Sequence, residues 1–303
     1  MTSTPPPSHG RARRRQRPRA RHRSVEHAES FSRSLKALDF LARNGVQVSA
    51  RVSDLTTGEE LLSVDDYVIM PTAGIGTTLL LVDVAAKLND TEFAALTILD
   101  RESTDFVSQS GIWQHLQAPS LPVADVAALI GATGDNLATN VLLRKVGLDA
   151  VRVRTEDLGL RRMALLDVAR DKRGPDDAPH LSVGSMKEVN WLFASLARGT
   201  IVDQATSQRV VSWLSLGHDL SLVASAFGLD PGSHRTGDHG LRLFNRTGVA
   251  AGLRAEAGVL TGTRAGVSYA VGVTFTDDSL QARLAVIDAL RTIGYDLVEY
   301  VQD

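Results

Sequence analysis

Apolar and polar positions divide the chain into regions of different period. Val46, Val48, Ala50 and Val52 alternate with polar neighbours in the strand manner. Thr57-Gly58 supplies a turn and Leu61-Leu62 begins a returning strand, so 46–64 predicts a hairpin. Ahead of it, Val25, Ala28, Phe31, Leu35, Leu38 and Leu41 share one face of an amphipathic helix. The long region 89–200 is mixed, with its clearest helices near 122–132, 137–146 and 183–198. Strand patterns return near 241–247, 253–261 and 267–276, and a final helix near 279–293 carries Leu280, Leu284, Ile287 and Leu290. Strands at both ends with helices between them predict one sheet built from both chain ends plus a helical insertion, an α+β fold. No stretch approaches about 18 uninterrupted apolar residues, so no membrane span is expected.

The rest of the chain is best read around Tyr67 to Leu88. A short apolar run, Val68-Ile69-Met70, is followed by Pro71-Thr72-Ala73-Gly74-Ile75-Gly76 and then by a long apolar segment from Leu79 to Leu88. This predicts a strand or loop that turns sharply into a buried helix. Backbone N–H groups at such a helix start lack intrahelical partners, so the turn suits a nucleophile or a bound anion.

Composition changes this picture little, but charge does. The 303 residues are 43% hydrophobic and 22% charged, ordinary for a globular protein, and the absence of cysteine excludes disulfide and thiolate chemistry. Residues 1–23 hold eight arginines and no acid, leaving 25 basic and 35 acidic residues, a formal charge of −10, over 24–303. This arm is expected to be disordered; it either contacts nucleic acid or an anionic surface through 11–23, or is a solvated tail ahead of the true start. No apolar run of about 7–15 residues follows the arginines, so no signal peptide is recognised and a cytoplasmic location is expected.

The turn also resembles the nucleophile segment of class A serine β-lactamases and penicillin-binding proteins, roughly Pro-x-x-Ser-x-x-Lys before an apolar helix. On that pattern the serine falls at Gly74 and the lysine at Thr77. A second string, Ala132-Thr133-Gly134-Asp135-Asn136-Leu137-Ala138-Thr139-Asn140, resembles the family's Ser-Asp-Asn segment, with Gly134 at the serine and Asp135-Asn136 matching. Asp-Asn before a helix is also an ordinary N-cap. Ser108-Gln109-Ser110-Gly111-Ile112 resembles the Gly-Ser-Gly-Ile run upstream. Asn245-Arg246-Thr247-Gly248 resembles the Lys-Thr-Gly strand, with arginine for lysine, and is preferred over Arg235-Thr236-Gly237 because Leu241, Leu243 and Phe244 precede it. Leu229-Asp230-Pro231 with His234 resembles the approach to this strand in actinobacterial members. The family's acidic loop corresponds to Met163–Leu181, which has no Glu; Arg170 falls near the general-base position.

The resemblance covers about 27–298. It implies an antiparallel sheet flanked by helices beside an all-α subdomain, with the α/β part about 24–73 and 200–303 and the helical part about 74–199. It also implies a pocket between them lined by Gly74, Thr77, Gly134, Asn136, Arg246 and Thr247. Acyl transfer needs a hydroxyl nucleophile, a group to take its proton and donors for the oxyanion. At the degenerate positions Gly74, Thr77, Gly134 and Arg246 the catalytic side chains are missing, and only the N–H groups of Gly74 and Val249 remain as donors. Thr72, Thr77 and Thr78 have no adjacent Lys or His to activate them. The eight histidines are scattered without zinc spacing, so neither metal nor cofactor is expected. The expectation is a β-lactamase-like protein that binds a ligand or partner without hydrolysis; the alternative is a hydrolase with a non-standard catalytic set. The expected ligand is a carboxylate- or other anion-bearing small molecule held by Gly74, Thr77, Asn136, Arg246, Thr247 and Val249, unless Arg246 pairs with Asp135 or another local acid and the pocket is filled.

Overall fold

A computed structural model describes Met1 and residues 31–89, 94, 96–108, 111–232 and 238–302. The arginine-rich arm, the run at Gln109-Ser110, His234 and the second Arg-Thr-Gly copy at 235–237 lie outside the described residues.

Helix α1, Ser32–Arg43, leads into the hairpin β1, Gln47–Asp54, and β2, Glu60–Val64. The C-terminal strands β8, Arg242–Ala250, β9, Leu253–Thr261, and β10, Gly266–Thr274, complete a five-stranded sheet in the order β2-β1-β10-β9-β8. All its ladders are antiparallel, and β1 joins the two chain ends by pairing Gln47 with Thr274 and Asp54 with Val267. The last helix, α8, spans Leu280–Gln302 and packs with α1 over one sheet face. Phe31, Leu38 and Leu41 meet Val286, Leu290, Ile293 and Leu297 in that layer. Asp296, fully buried on α8, accepts from the Ser34 N–H at 3.0 Å and the Ser34 hydroxyl at 2.6 Å, and Arg33 adds an ion pair.

The other face carries α6, Met186–Arg198, and beyond it the helical part. There α2, Thr77–Asn89, is surrounded by α3, Val123–Thr133, α4, Asn136–Val146, α5, Leu148–Asp157, and α7, Gln204–Leu214. Every residue of α2 from Thr77 to Ala86 is buried. An all-round apolar sequence gives the helix no solvent face, so it becomes the axis of this second core. Two short sheets tie the layers: β3, Ile69–Pro71, and β6, Met163–Leu165, flank β7, Ser182–Ser185, and β4, Ile98–Asp100, pairs with β5, Ser120–Pro122.

The predicted hairpin and C-terminal strands are present. Three readings change. The helix expected from 183 begins at Met186, because Ser182–Ser185 is drawn into strand pairing. The last helix runs nine residues beyond 293. Helix α7 was not anticipated in the strand-rich C-terminal part.

Candidate active-site cleft

Strand β3 ends at Pro71 and the chain enters a 3₁₀ turn, Ala73–Gly76, before α2 begins. Strand β7 clasps this turn from below. The Thr72 N–H donates to the Ser182 carbonyl at 3.1 Å, and the Ser182 hydroxyl donates to the Ala73 carbonyl at 2.7 Å. With its proton so placed, Ser182 accepts from the Thr72 hydroxyl at 2.7 Å. Ala73 has φ +43°, a left-handed conformation that costs a non-glycine residue roughly 1–2 kcal/mol. The chain therefore turns sharply from strand into helix through a strained residue, with Gly74 just after it.

Arg246 reaches this turn from β8. Its Nε donates to the Gly74 carbonyl at 3.0 Å and its Nη2 to the Thr77 hydroxyl at 3.3 Å. The Thr77 hydroxyl in turn donates to the Gly74 carbonyl at 2.8 Å. The guanidinium lies between two glycines. A Cβ on Gly74 would stand 2.9 Å from the Thr247 carbonyl and 3.3 Å from Nη2; one on Gly134 would stand 2.9 and 3.0 Å from Nη2 and Nη1. Gly134, at φ +66°, also ends α3 in the left-handed conformation that glycine adopts without strain. The cation thus crowds the volume that side chains at 74 and 134, the positions the resemblance aligns with serines, would need.

Arg246 is 7% exposed and forms no ion pair among the described residues. Burial pushes its pKa down from 12.5 to about 10, while the charge of Asp219 works the other way. It therefore remains cationic at neutral pH. The expected alternative, a pair with Asp135, is not formed. Asp135 caps α4 by accepting from the Ala138 N–H at 2.9 Å, and its other oxygen takes the N–H groups of Ile112 and Trp113 at 2.7 and 2.8 Å.

Around the guanidinium opens a cleft of about 900 Å³ between the two layers. Gly74, Gly134, Asn136, Arg246, Thr247 and Val249 all line it, so the structure brings together six of the seven residues singled out in the sequence. Thr77 is the exception: it is 1% exposed and acts on Arg246 from behind the wall.

The loop after β6 forms another wall. Arg170 lines the cleft, but Asp167 holds it at 2.8 Å and Asp177 at 3.2 Å, and Asp167 also takes Arg173 at 2.6 Å. Burial alone would raise the Asp167 carboxyl; hydrogen bonds from Arg170, the Val168 N–H and Arg173 outweigh it and lower the pKa. Asn140 on α4 fixes the loop with paired bonds to Ala169, its Nδ2 donating at 3.0 Å and its Oδ1 accepting at 2.8 Å.

The wall opposite the loop was not foreseen. Gly217, His218 and Asp219 line it, and the Asp219 carboxylate accepts from the Thr247 hydroxyl at 2.6 Å. Behind them Asn245 donates to the Asp219 carbonyl at 3.1 Å and to Glu256 at 2.8 Å. Glu256 is fully buried, and the Tyr269 hydroxyl and the Val223 N–H also donate to it, each at 2.7 Å. Desolvation lifts its pKa to about 7 despite these donors. Apart from Asn245, which heads the Asn245-Arg246-Thr247-Gly248 string, no local string marks these groups; they meet because the segment after α7 folds back against β8 and β9.

Among the described residues, no group of three or more His, Asp or Glu side chains is placed to hold a metal ion, and no helix is long and apolar enough to cross a membrane.

Comparison with known proteins places this geometry. Residues 30–301 match the Beta-lactamase enzyme family. No curated protein sequence matches the chain. A β-lactamase from Sphaerobacter thermophilus is similar with a TM-score of 0.78 at 20% identity, over 89% of this chain and 97% of that one. PBP-A gives a TM-score of 0.72 at 15% identity, over 88% and 96%. A β-lactamase from Burkholderia vietnamiensis gives 0.72 at 17%, over 90% and 97%. These likenesses establish the expected α+β fold of the β-lactamases and penicillin-binding proteins. With a family match over residues 30–301, nearly the whole chain, the chain belongs to the Beta-lactamase enzyme family.

Proposed function

We propose that this protein has given up acyl transfer and binds a carboxylate-bearing small molecule reversibly at Arg246. The observation that carries the reading is the guanidinium between Gly74 and Gly134, in the volume a nucleophilic side chain needs. The hydroxyls near the turn support it. Thr77 is engaged by Gly74 and Arg246, and Thr72 donates to Ser182, so no base stands ready to take a proton from either. A buried cation without an acidic partner favours an incoming anion, and a carboxylate forms charge-assisted hydrogen bonds with it.

One structure of PBP-A is an acyl-enzyme complex with penicillin G. Incubation of the present protein with benzylpenicillin is expected to leave its intact mass unchanged. A stoichiometric adduct mapped to residues 72–78 would restore the alternative, a hydrolase with a non-standard catalytic set. Thermal shifts with carboxylates and phosphates, repeated on Arg246→Ala, test the binding half. Equal shifts in both proteins, or none in either, would remove it.

The arginine-rich segment carries a separate proposal, contact with nucleic acid or an anionic surface, supported by its eight arginines against a remainder of −10. Salt-dependent binding to an oligonucleotide that survives deletion of 1–23 would refute it.

A further inference from the structure

The cleft carries both signs of charge, and most of that charge is already compensated within the protein. Arg170 and Arg173 are held by Asp167, and Arg170 also by Asp177. Two groups are left without a charged partner among the described residues. One is Arg246, whose Nε and Nη2 bond a carbonyl and a hydroxyl. The other is Asp219, whose carboxylate takes only neutral donors: the Thr247 hydroxyl at 2.6 Å, the Ser221 N–H at 3.0 Å and the Ser221 hydroxyl at 2.6 Å.

These two groups line one cleft, and Asp219 bonds the residue next to Arg246 on β8, yet they form no ion pair. Each is anchored by its own bonds. Arg246 is fixed to the turn at Gly74 and Thr77, and Asp219 is fixed to Thr247, the next residue along β8. Both line the same cleft. A simple carboxylate on Arg246 gains one attraction but shares the cleft with the carboxylate of Asp219, and like charges oppose each other. A molecule carrying both a carboxylate and an ammonium offers a counter-charge to both fixed groups.

We propose that the cleft selects zwitterions of the free α-amino acid type, with the carboxylate on Arg246 and the ammonium on Asp219. This rests on the anion-site reading above and adds the second recognition point. Complementarity of this kind discriminates against ligands that leave the buried Arg246 unpaired or set a like charge beside Asp219.

The test uses the full chain and calorimetric titration. The probes are α-amino acids with small, aliphatic and aromatic side chains, each compared with its N-acetyl, carboxamide and deaminated forms. At least one amino acid is expected to bind, and each of its three altered forms at least about tenfold more weakly. Asp219→Asn is expected to weaken the amino acid about tenfold and to leave the deaminated acid unchanged or tighter. Asp219 is exposed, and a melt of the unliganded variant verifies its fold. If deaminated acids bind as tightly as amino acids, or Asp219→Asn leaves amino-acid affinity unchanged, zwitterion selection is overturned while the anion site stands. If no carboxylate of either kind binds, the anion-site reading falls with it.

Discussion

Restoring the missing hydroxyl is the most informative perturbation of this cleft. Gly74→Ser would place a Cβ 2.9 Å from the Thr247 carbonyl and 3.3 Å from Arg246 Nη2, and its Oγ would need space within that same crowded region. The first contact is with backbone on β8 and yields only if turn and strand move apart. The second is with a side chain anchored at 3.0 Å to the Gly74 carbonyl, so it moves only by giving up that bond. Overpacking of this degree costs roughly 1–3 kcal/mol, and loss of the charge-assisted bond adds about 1.5–3 kcal/mol. For a domain of this size each kcal/mol lowers Tm by about 2–4 °C, so Gly74→Ser should melt several degrees below wild type. The decisive measurement is a double-mutant cycle with Arg246→Lys, read by urea unfolding of all four proteins. A shared clash predicts a coupling of about 0.5–3 kcal/mol, with the serine costing less beside lysine than beside arginine. Additive losses, or a Gly74→Ser protein as stable as wild type, would show that the guanidinium does not hold the serine's place.

Two further outcomes follow from the surrounding structure. Glu256 has a folded pKa of about 7 against an ordinary value of 4.5, so its contribution to stability is fully present below about pH 4.5 and is lost as pH rises toward 7. The amplitude is on the order of 3 kcal/mol; Glu256→Gln should flatten that part of the stability-against-pH curve, and an unchanged slope would show that another group titrates. Ala73→Gly relieves the left-handed strain at φ +43°, roughly 1–2 kcal/mol, against a lost methyl of about 0.8 and added chain entropy of about 0.5–1 kcal/mol. Its melting point should therefore stay within about 3 °C of wild type, and a larger fall would mean the turn is not strained.

Much of the cleft is written in short local strings, which is why it can be read from the chain. Pro71 to Gly76 followed by an unbroken apolar helix has few alternatives to a sharp strand-to-helix turn. Gly134-Asp135-Asn136 specifies a helix end, a cap and a helix start within three residues. The unread parts depend on contacts between distant segments. Asp219 and Glu256 gain their meaning from β8 and the loop after α7, 10 to 30 residues away, and nothing in Gly217-His218-Asp219 announces a wall. Ser182–Ser185 is too short to alternate and becomes a strand only because β3 and β6 bracket it. Gly294 lies just past the expected end of the last helix, yet α8 continues through it: a Cβ there would come within 2.2 Å of the Val223 carbonyl, so the glycine permits close approach.

The altered motif positions make physical sense together and not one at a time. A guanidinium is a rigid planar fork that needs acceptors along its edge. It finds them in the Gly74 carbonyl and the Thr77 hydroxyl, and it fits only because residues 74 and 134 carry no side chain. A lysine at 77 would set a second cation against the first, and its chain would replace the hydroxyl that now accepts from Nη2. Serine at 74 or 134 would enter the guanidinium's volume. The arginine and the family's catalytic set thus exclude one another sterically and electrostatically. The loop without a Glu fits the same logic. Asp167 and Asp177 turn their charge onto Arg170 and Arg173, so neither is left to neutralise Arg246. What remains is a buried positive charge with no ion pair among the described residues, and the proposed anion site rests on it. Restoring a serine at 74 or 134 or a lysine at 77 alone should therefore leave acylation absent, because each restored group still meets an arginine arranged around its loss, and Arg246→Lys alone restores no nucleophile.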